Sequence, residues 1–498
     1  MNVVETGDVI GSDDSCCQAA TGRKSQNPKY ETVMSLPDGP KSPEIWQKLL
    51  WIATPFPFMR SCSHRYGDSF KVRLSQKLSP VVFFSNPEAL QLILTSDDSE
   101  LFDAPGELNA ILEPLLGTES VIGLSGERHR RVRQLLMPSF HGERMRAYGR
   151  LIQDITEEVM KEQVVGKAFS VRKAMQKISM RVILRAIFGL NEGLRYQQLE
   201  KVLGSMLDRL SNPFSVSVLF FPMLRQDFGP LSPWGSFLRY RRQIDHLIYE
   251  EIAERRAHPQ LSRNDILSLL MCACDEAGAA LTDSELRDEL MTLLIAGHET
   301  TATALTWALY WIHKLPAVRK RLLNELQAIP GTLDPNALLR LSYLNAVCCE
   351  TLRICPVAML TFPRVTRTRV ELTGSSLEPG TIVAGCIYLA HRRKEVYPEP
   401  DEFKPERFLE RHYSPFEYLP FGGGVRRCIG MAFAQFEMKL VIGHIVSGFE
   451  LALTATHRVR LVRRGLTSGP SPLRMVIKQR LTKSSPPNRG IFSLTDSC

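Results

Sequence analysis

A chain of 498 residues can bury a large core and has room for more than one domain, so length leaves the domain count open. An apolar share of 44% with 23% charged residues is that of an ordinary globular protein, which argues against a disordered or fibrous chain. The net charge of +9 comes from scattered lysines and arginines, with no basic tail and no aromatic-basic interleaving. A nucleic-acid partner is therefore not expected, while an anionic lipid or an acidic protein stays open.

Residues 1–28 are small and polar, without usable periodicity, and are expected to form a mobile tail. They show neither a basic start nor an apolar stretch of signal-peptide type. No run of about 20 apolar residues occurs anywhere, so a membrane-spanning helix is not expected. After Leu36-Pro-Asp-Gly-Pro40 comes an apolar stretch at 46–58, then strand-like runs at 69–74 and 81–85. From about 90 to 326 the pattern is mostly helical, broken at Pro105, Gly117, Pro138, Pro213 and Pro230. Within it, Thr282-Asp-Ser-Glu285 is a capping box and starts a helix that runs without proline to about His313. At 1.5 Å per residue that helix spans about 45 Å, enough to cross the molecule. A further helix is expected at 338–353, then short strands turning at Gly374 and Pro379-Gly380, then a long irregular stretch. Residues 481–498, rich in Ser and Pro, read as a second mobile tail. No internal repeat or composition shift divides the chain, so one domain is expected over 29–480.

The eleven cysteines are odd in number and irregularly spaced, which fits reduced thiols better than a disulfide framework. One of them stands apart. Phe421-Gly-Gly-Gly-Val-Arg-Arg-Cys-Ile-Gly430 places Cys428 in a glycine-rich loop just before an apolar helical pattern at 431–446. A thiolate is a soft ligand suited to a transition metal such as iron. Glycines let a flat cofactor approach the backbone, and the following helix offers its positive end to the sulfur. Arg426 adds a fixed cation for an anionic cofactor edge.

Phe421, Gly424, Arg426, Cys428 and Gly430 match the anchors of the haem-binding loop of the cytochrome P-450 superfamily, and the sequence resembles that family over roughly 36–480. Ala296-Gly297-His298-Glu299-Thr300 resembles the acid–alcohol motif of its central helix, and the resemblance makes Glu299 and Thr300 the catalytic proton-delivery pair. Glu350 and Arg353, with Arg407 in Pro405-Glu-Arg-Phe408, match the charged triad that supports the cysteine loop. His129 and Arg133, four apart on one helix face, match a segment that binds the haem propionates, and Arg364 matches a further such position.

The resemblance implies a mainly α fold with small β-sheets, the haem lying between the long central helix and the cysteine-loop helix. It implies haem b with Cys428 as axial thiolate, and a monooxygenase that inserts one oxygen atom of O2 into an apolar substrate. A fatty acid, alkane or terpenoid fits the apolar segments 104–116, 203–223, 295–301 and 357–362, with Phe214, Leu219, Phe220, Phe221 and Met223 as an entrance lip. Leu36-Pro-Asp-Gly-Pro40 and the segment around Arg364 look similar to cyanobacterial members with lipid-like substrates. Electrons are expected from a separate ferredoxin or flavodoxin with its reductase, steered by Arg130, Arg131, Arg427 and Lys439. The protein is expected to be a soluble bacterial type in the cytoplasm, with peripheral contact at a membrane surface left open. A haem-thiolate peroxygenase or isomerase, and a non-catalytic haem sensor, are the alternative readings.

Overall fold

The computed structural model describes residues 36–481, apart from short stretches at 75–78, 98, 141–142, 190–192, 211–220, 230–231, 259–262, 264, 331–332, 455–458 and 466. The tails expected at 1–28 and 481–498 lie outside the described residues except for Leu481, whose N–H bonds the Gly448 carbonyl. No helix among the described residues is long and apolar enough to cross a membrane.

A central helix, Asp283–Lys314, organises the molecule. Thr282 Oγ1 accepts the Glu285 N–H while the Glu285 carboxylate accepts the Thr282 N–H at 2.8 Å, so the capping box forms as its spacing predicts. Helices pack on several sides of it: Val171–Phe188, here the brace helix, Ser342–Ile354, and the cysteine helix Met431–Gly448. That surround explains why its middle is apolar around most of its circumference. Gly297 marks a close approach to the brace helix, where an added Cβ would lie 2.8 Å from Ile183 Cδ1.

The expected strands at 69–74 and 81–85 form Ser69–Val72 and Val81–Phe84, part of a five-stranded sheet. Its order continues through Ile382–Gly385, Arg364–Thr366 and Phe102–Asp103, with the pair Val81–Phe84 and Ile382–Gly385 parallel. The sheet brings residues near 90 against the cysteine loop, so that Leu94 packs beneath Gly423. The helix expected at 338–353 is two, Pro335–Leu339 and Ser342–Ile354. The Glu325 carboxylate accepts the Tyr343 and Leu344 N–H groups at 2.7 and 2.9 Å, which gives the second helix its own anchored start. A contact distant in sequence made the break.

The long irregular stretch before the cysteine loop has few backbone partners of its own, and buried side chains supply them. Glu350 receives Arg353 Nε and Nη2 at 2.6 and 2.8 Å, Arg407 Nε at 3.3 Å and the Lys404 N–H at 2.8 Å. Arg353 also donates to the carbonyls of His391, Pro400 and Glu402, and Arg407 to that of Pro398. His391 closes the arrangement by accepting the Leu419 N–H on Nε2 at 3.0 Å, which leaves Nδ1 to donate to the Arg353 carbonyl at 3.2 Å. Burial, reinforced by Arg353 and Arg392, holds its pKa well below the ordinary histidine value, so the ring is neutral. Removal of Glu350 leaves two buried guanidinium groups without their anion. Glu350→Ala should lower the unfolding free energy by about 3–5 kcal/mol and yield little haem-loaded protein. A urea midpoint and haem content equal to wild type would contradict this account.

Candidate active site

The cysteine loop is folded by backbone and guanidinium bonds. The Cys428 N–H donates to the Phe421 carbonyl at 3.0 Å, and Gly422 and Gly424 adopt left-handed φ of 68° and 65°. At Gly424 a side chain is excluded twice, since a Cβ would also lie 1.8 Å from Asp97 Oδ2. Asp97 is a buried carboxylate that accepts the Val425 N–H at 3.1 Å and pairs with Arg364 through Nη2 at 2.6 Å and Nε at 3.0 Å. Arg364 donates as well to the Gly423 carbonyl at 3.0 Å. Asp97 escapes notice in the sequence, where Thr-Ser-Asp-Asp reads as an exposed turn.

Sequence reading aimed Arg426 and Arg364 at the cofactor edge. Both guanidinium groups are spent on protein acceptors: Arg364 as just described, Arg426 on the carbonyls of Ala104 (3.0 Å), Val121 (3.1 Å) and Leu124 (2.6 Å). Burial, then the nearby Arg364, lowers the Arg426 pKa to about 10. Arg133 differs. It is half-buried, makes no ion pair or hydrogen bond among the described residues, and has Cys428 and Arg427 as its charged neighbours. His129 lies buried one turn earlier on the same helix, Gly126–Leu136.

The Cys428 thiol is pushed up by burial and drawn down by the Gly430 N–H, Arg133 and Arg427. Yet Cys428 is exposed. Both hold at once for a sulfur enclosed by protein that faces an interior space. The central helix shows the same property from its side: Ala296 is exposed and Thr300 half-buried, within a stretch where Leu290, Met291, Thr301 and Ala302 are closed off. Thr300 Oγ1 donates to the Ala296 carbonyl at 2.6 Å. Glu299 points elsewhere, held by Arg172 Nη2 at 2.6 Å and Gln176 Nε2 at 2.8 Å of the brace helix. The acid and the alcohol make no hydrogen bond with each other. His298 Nε2 meets the Gln176 carbonyl at 3.1 Å, and Ser179 Oγ donates to the Gly297 carbonyl at 3.3 Å. Arg172, Gln176, Ser179 and Ile183 thus form one stripe at helical spacing that clamps Gly297, His298 and Glu299. The stripe was present in the sequence, but its partner was not.

A cleft lined by Gly106, Asn109, Leu112, Leu116, Ser120 and Ile122 opens beside the central helix. Its wall is tied to that helix by Glu119 N–H to Asp288 at 2.8 Å, Ser120 to Thr292 at 2.7 Å and Val121 N–H to Glu289 at 2.6 Å. Of the expected entrance lip, Phe214, Leu219 and Phe220 lie outside the described residues. Phe221 lies under Lys48, whose Nζ is 4.5 Å from the ring, and Met223 is exposed. The arginines expected to steer a partner are partly occupied: Arg131 by Asp275 and Glu285, Arg130 by Glu127.

These residues fit a flat anionic metal cofactor. They offer a thiol flanked by a backbone donor and cations, an uncommitted guanidinium at Arg133, and an accessible small-residue face on the opposing helix. The fold and site define a haem-thiolate monooxygenase: the family profile described as Cytochrome P450 matches residues 37–476, and the chain belongs to that family, whose members bind haem b through a cysteine thiolate. It is 36% identical over 424 residues, 85% of this chain and 87% of the other, to putative cytochrome P450 135B1 of Mycobacterium tuberculosis. Putative cytochrome P450 135A1 of the same species is 32% identical over 453 residues, 90% of this chain and 96% of that one. The solved cyanobacterial CYP120A1 with retinoic acid bound superposes with a TM-score of 0.77 at 25% identity, covering 90% of this chain and 100% of its own.

Asp97→Ala would leave Arg364 buried without its anion and free the Val425 N–H. A loss of about 3–5 kcal/mol in urea unfolding is expected, with Asp97→Asn intermediate because the amide oxygen still accepts from Val425. A loss within about 1 kcal/mol would place this pair with weak surface ion pairs instead.

Proposed function

We propose that Cys428 is the axial thiolate of the haem, that Thr300 and Glu299 deliver protons, and that the substrate is an apolar molecule of fatty-acid, alkane or terpenoid class. The observation that carries the reading is the enclosed yet accessible Cys428 sulfur, at the start of a helix packed against the central helix. Gly424 and Gly430 keep the loop low enough for a flat ring to approach, Phe421 would pack against that ring, and Arg133 with His129 would hold its carboxylates. Arg364 and Arg426 act behind them, fixing the loop's shape. When bound, the haem supplies electron transfer and oxygen chemistry; the thiolate tunes it by donating charge.

The remaining work falls to side chains of the central helix. Thr300 Oγ1, now donating to the Ala296 carbonyl, rotates to present its proton toward the interior face. Glu299, reached from the Arg172 and Gln176 side, takes up protons and passes them to Thr300 through water. The cleft beside the central helix, with Ala110, Leu112, Leu116 and Ile122 in its lining, sets the pose of the substrate. The retinoic acid named for CYP120A1 is a long apolar molecule, which supports the lipid-like substrate class. Electrons come from a ferredoxin or flavodoxin-type protein with its reductase, approaching over exposed Arg427 and half-buried Lys439. The protein works in the cytoplasm.

The first test is the carbon monoxide difference spectrum of the reduced protein, wild type against Cys428→Ser. A strongly red-shifted Soret band in the wild type alone is expected; the same band position in both proteins would remove Cys428 as ligand. With substrate and partner, Thr300→Ala should lower the product-forming rate by about 10²-fold while electrons still drain to peroxide. A variant that keeps full coupling would take Thr300 out of proton delivery. The reduction rate should fall steeply with added salt, and a flat response would end the steering argument.

A further inference from the structure

The helix Glu44–Ala53 turns an apolar face to water. Its inward positions are Gln47 and Trp51. Gln47 is fully buried and anchors the helix: Nε2 donates to the Pro40 and Ser42 carbonyls at 3.0 and 2.7 Å, and Oε1 accepts the Arg73 N–H at 2.9 Å. Trp51 packs on Phe83 with ring centroids 5.6 Å apart, and its carbonyl accepts from Arg463 Nη1 at 2.8 Å. The outward stripe is Ile45, Trp46, Leu49 and Leu50, all exposed, with Trp46 at 60%. Positions one, four and five residues apart share one helix face. The helix cannot roll that stripe inward without breaking the bonds of Gln47.

A second apolar projection lies beside it. Met223 and Phe228 are each 78% exposed, and Leu224 is exposed as well. Lys48 places Nζ 4.5 Å from the centroid of the Phe221 ring, which joins the two segments into one patch. More than half of the large hydrophobic side chains exposed among the described residues belong to these two segments. A patch of that kind marks a docking surface.

We propose that this patch docks the protein on the surface of a lipid bilayer, with the helix Glu44–Ala53 lying in the headgroup plane and its apolar stripe turned to the acyl chains. Charges in the segments 36–53 and 221–229 balance, three of each sign, so neither a strongly acidic nor a strongly basic protein finds its complement there. Residues 211–224 hold no charged side chain, and that run ends at Met223 and Leu224 inside the patch. A protein–protein interface is rimmed by polar groups, whereas binding to a bilayer scales with the apolar area inserted. Trp46, an apolar ring with one N–H, is the residue type that settles at the headgroup level. Docking of this kind needs neither Cys428 as a ligand nor Thr300 as a proton donor.

The test is flotation of full-length, haem-loaded protein with vesicles of phosphatidylcholine alone or of phosphatidylcholine mixed with phosphatidylglycerol. Binding to both, little changed by added salt, is expected. The double variant Trp46→Ser with Leu49→Ser, and separately Phe228→Ser, should weaken binding at least about tenfold. An unchanged carbon monoxide band in those variants would show that the fold is intact. Bromine-labelled acyl chains should quench part of the wild-type tryptophan emission, and Trp46→Phe should lose that part while still binding. The wild-type quenching decides the matter even where a serine variant loads no haem. Absence of flotation with either lipid would overturn the proposal, as would binding that the double variant leaves unchanged. Binding seen only with phosphatidylglycerol and abolished by salt would overturn apolar docking. A dimer in solution that the same substitutions disperse, without vesicle binding, would give the patch to a second copy of the chain instead.

Discussion

The structure depends on a buried glutamate that neutralises two buried arginines. Glu350 with Arg353 and Arg407 is closed to solvent, and the carbonyls these arginines collect belong to a segment without regular structure. Such a segment cannot satisfy its own backbone, and an interior position denies it water. The guanidinium groups, with five donors each in a rigid fork, replace the water. Replacement of the trio by apolar residues would remove the charge burial but leave the carbonyls orphaned, which is why a polar centre persists where a hydrophobic one would otherwise serve as well.

The cysteine loop repeats the same solution at closer range. Arg364 and Arg426 each bind main-chain carbonyls, and Asp97 is the anion that balances Arg364 while holding the Val425 N–H. A loop so held has little freedom to adapt, which suits a pre-organised site. Among the described residues Arg133, carried on a separate helix, makes no ion pair, and so a group free to meet an anionic ligand is distinct from the groups that shape the loop.

The long central helix was legible in the sequence because its start is a local capping box and its end lacks proline. The cysteine loop was legible because its anchors match a family pattern, and its glycines at 422 and 424 prove to have left-handed backbone that a side chain would strain. The triad residues were found by likeness to a family pattern, and their burial is what gives them meaning. Asp97, His391 and the brace stripe were not found. Each acts on a partner far away in the chain, Arg364 for Asp97, Leu419 for His391, Glu299 for Arg172, and nothing local marks them off from an exposed polar residue. The split at Leu341 was missed for the same reason, since Glu325 lies in an earlier helix, Pro316–Gln327, beyond Pro335–Leu339. Arg364 and Arg426 were picked out as cations of the cofactor edge, but the partners they bind here, the Asp97 carboxylate and main-chain carbonyls, lie far off in the chain and no local pattern reveals them.

The fastening of the cleft wall has a consequence for how this fold diversifies. Arg426 grips the wall at Ala104 and again at Val121 and Leu124, while Asp288, Glu289 and Thr292 pin 119–121 from the other side. Between those fasteners, Leu112 lines the cleft, Asn109 donates to the Ile122 carbonyl, and Arg287 and Arg241 hold the Leu116 and Pro114 carbonyls. The stretch behaves as a cassette with fixed ends. Its side chains can change while the backbone fasteners and the cysteine loop keep their geometry, so the lining of the cleft can drift apart from the chemistry of the site.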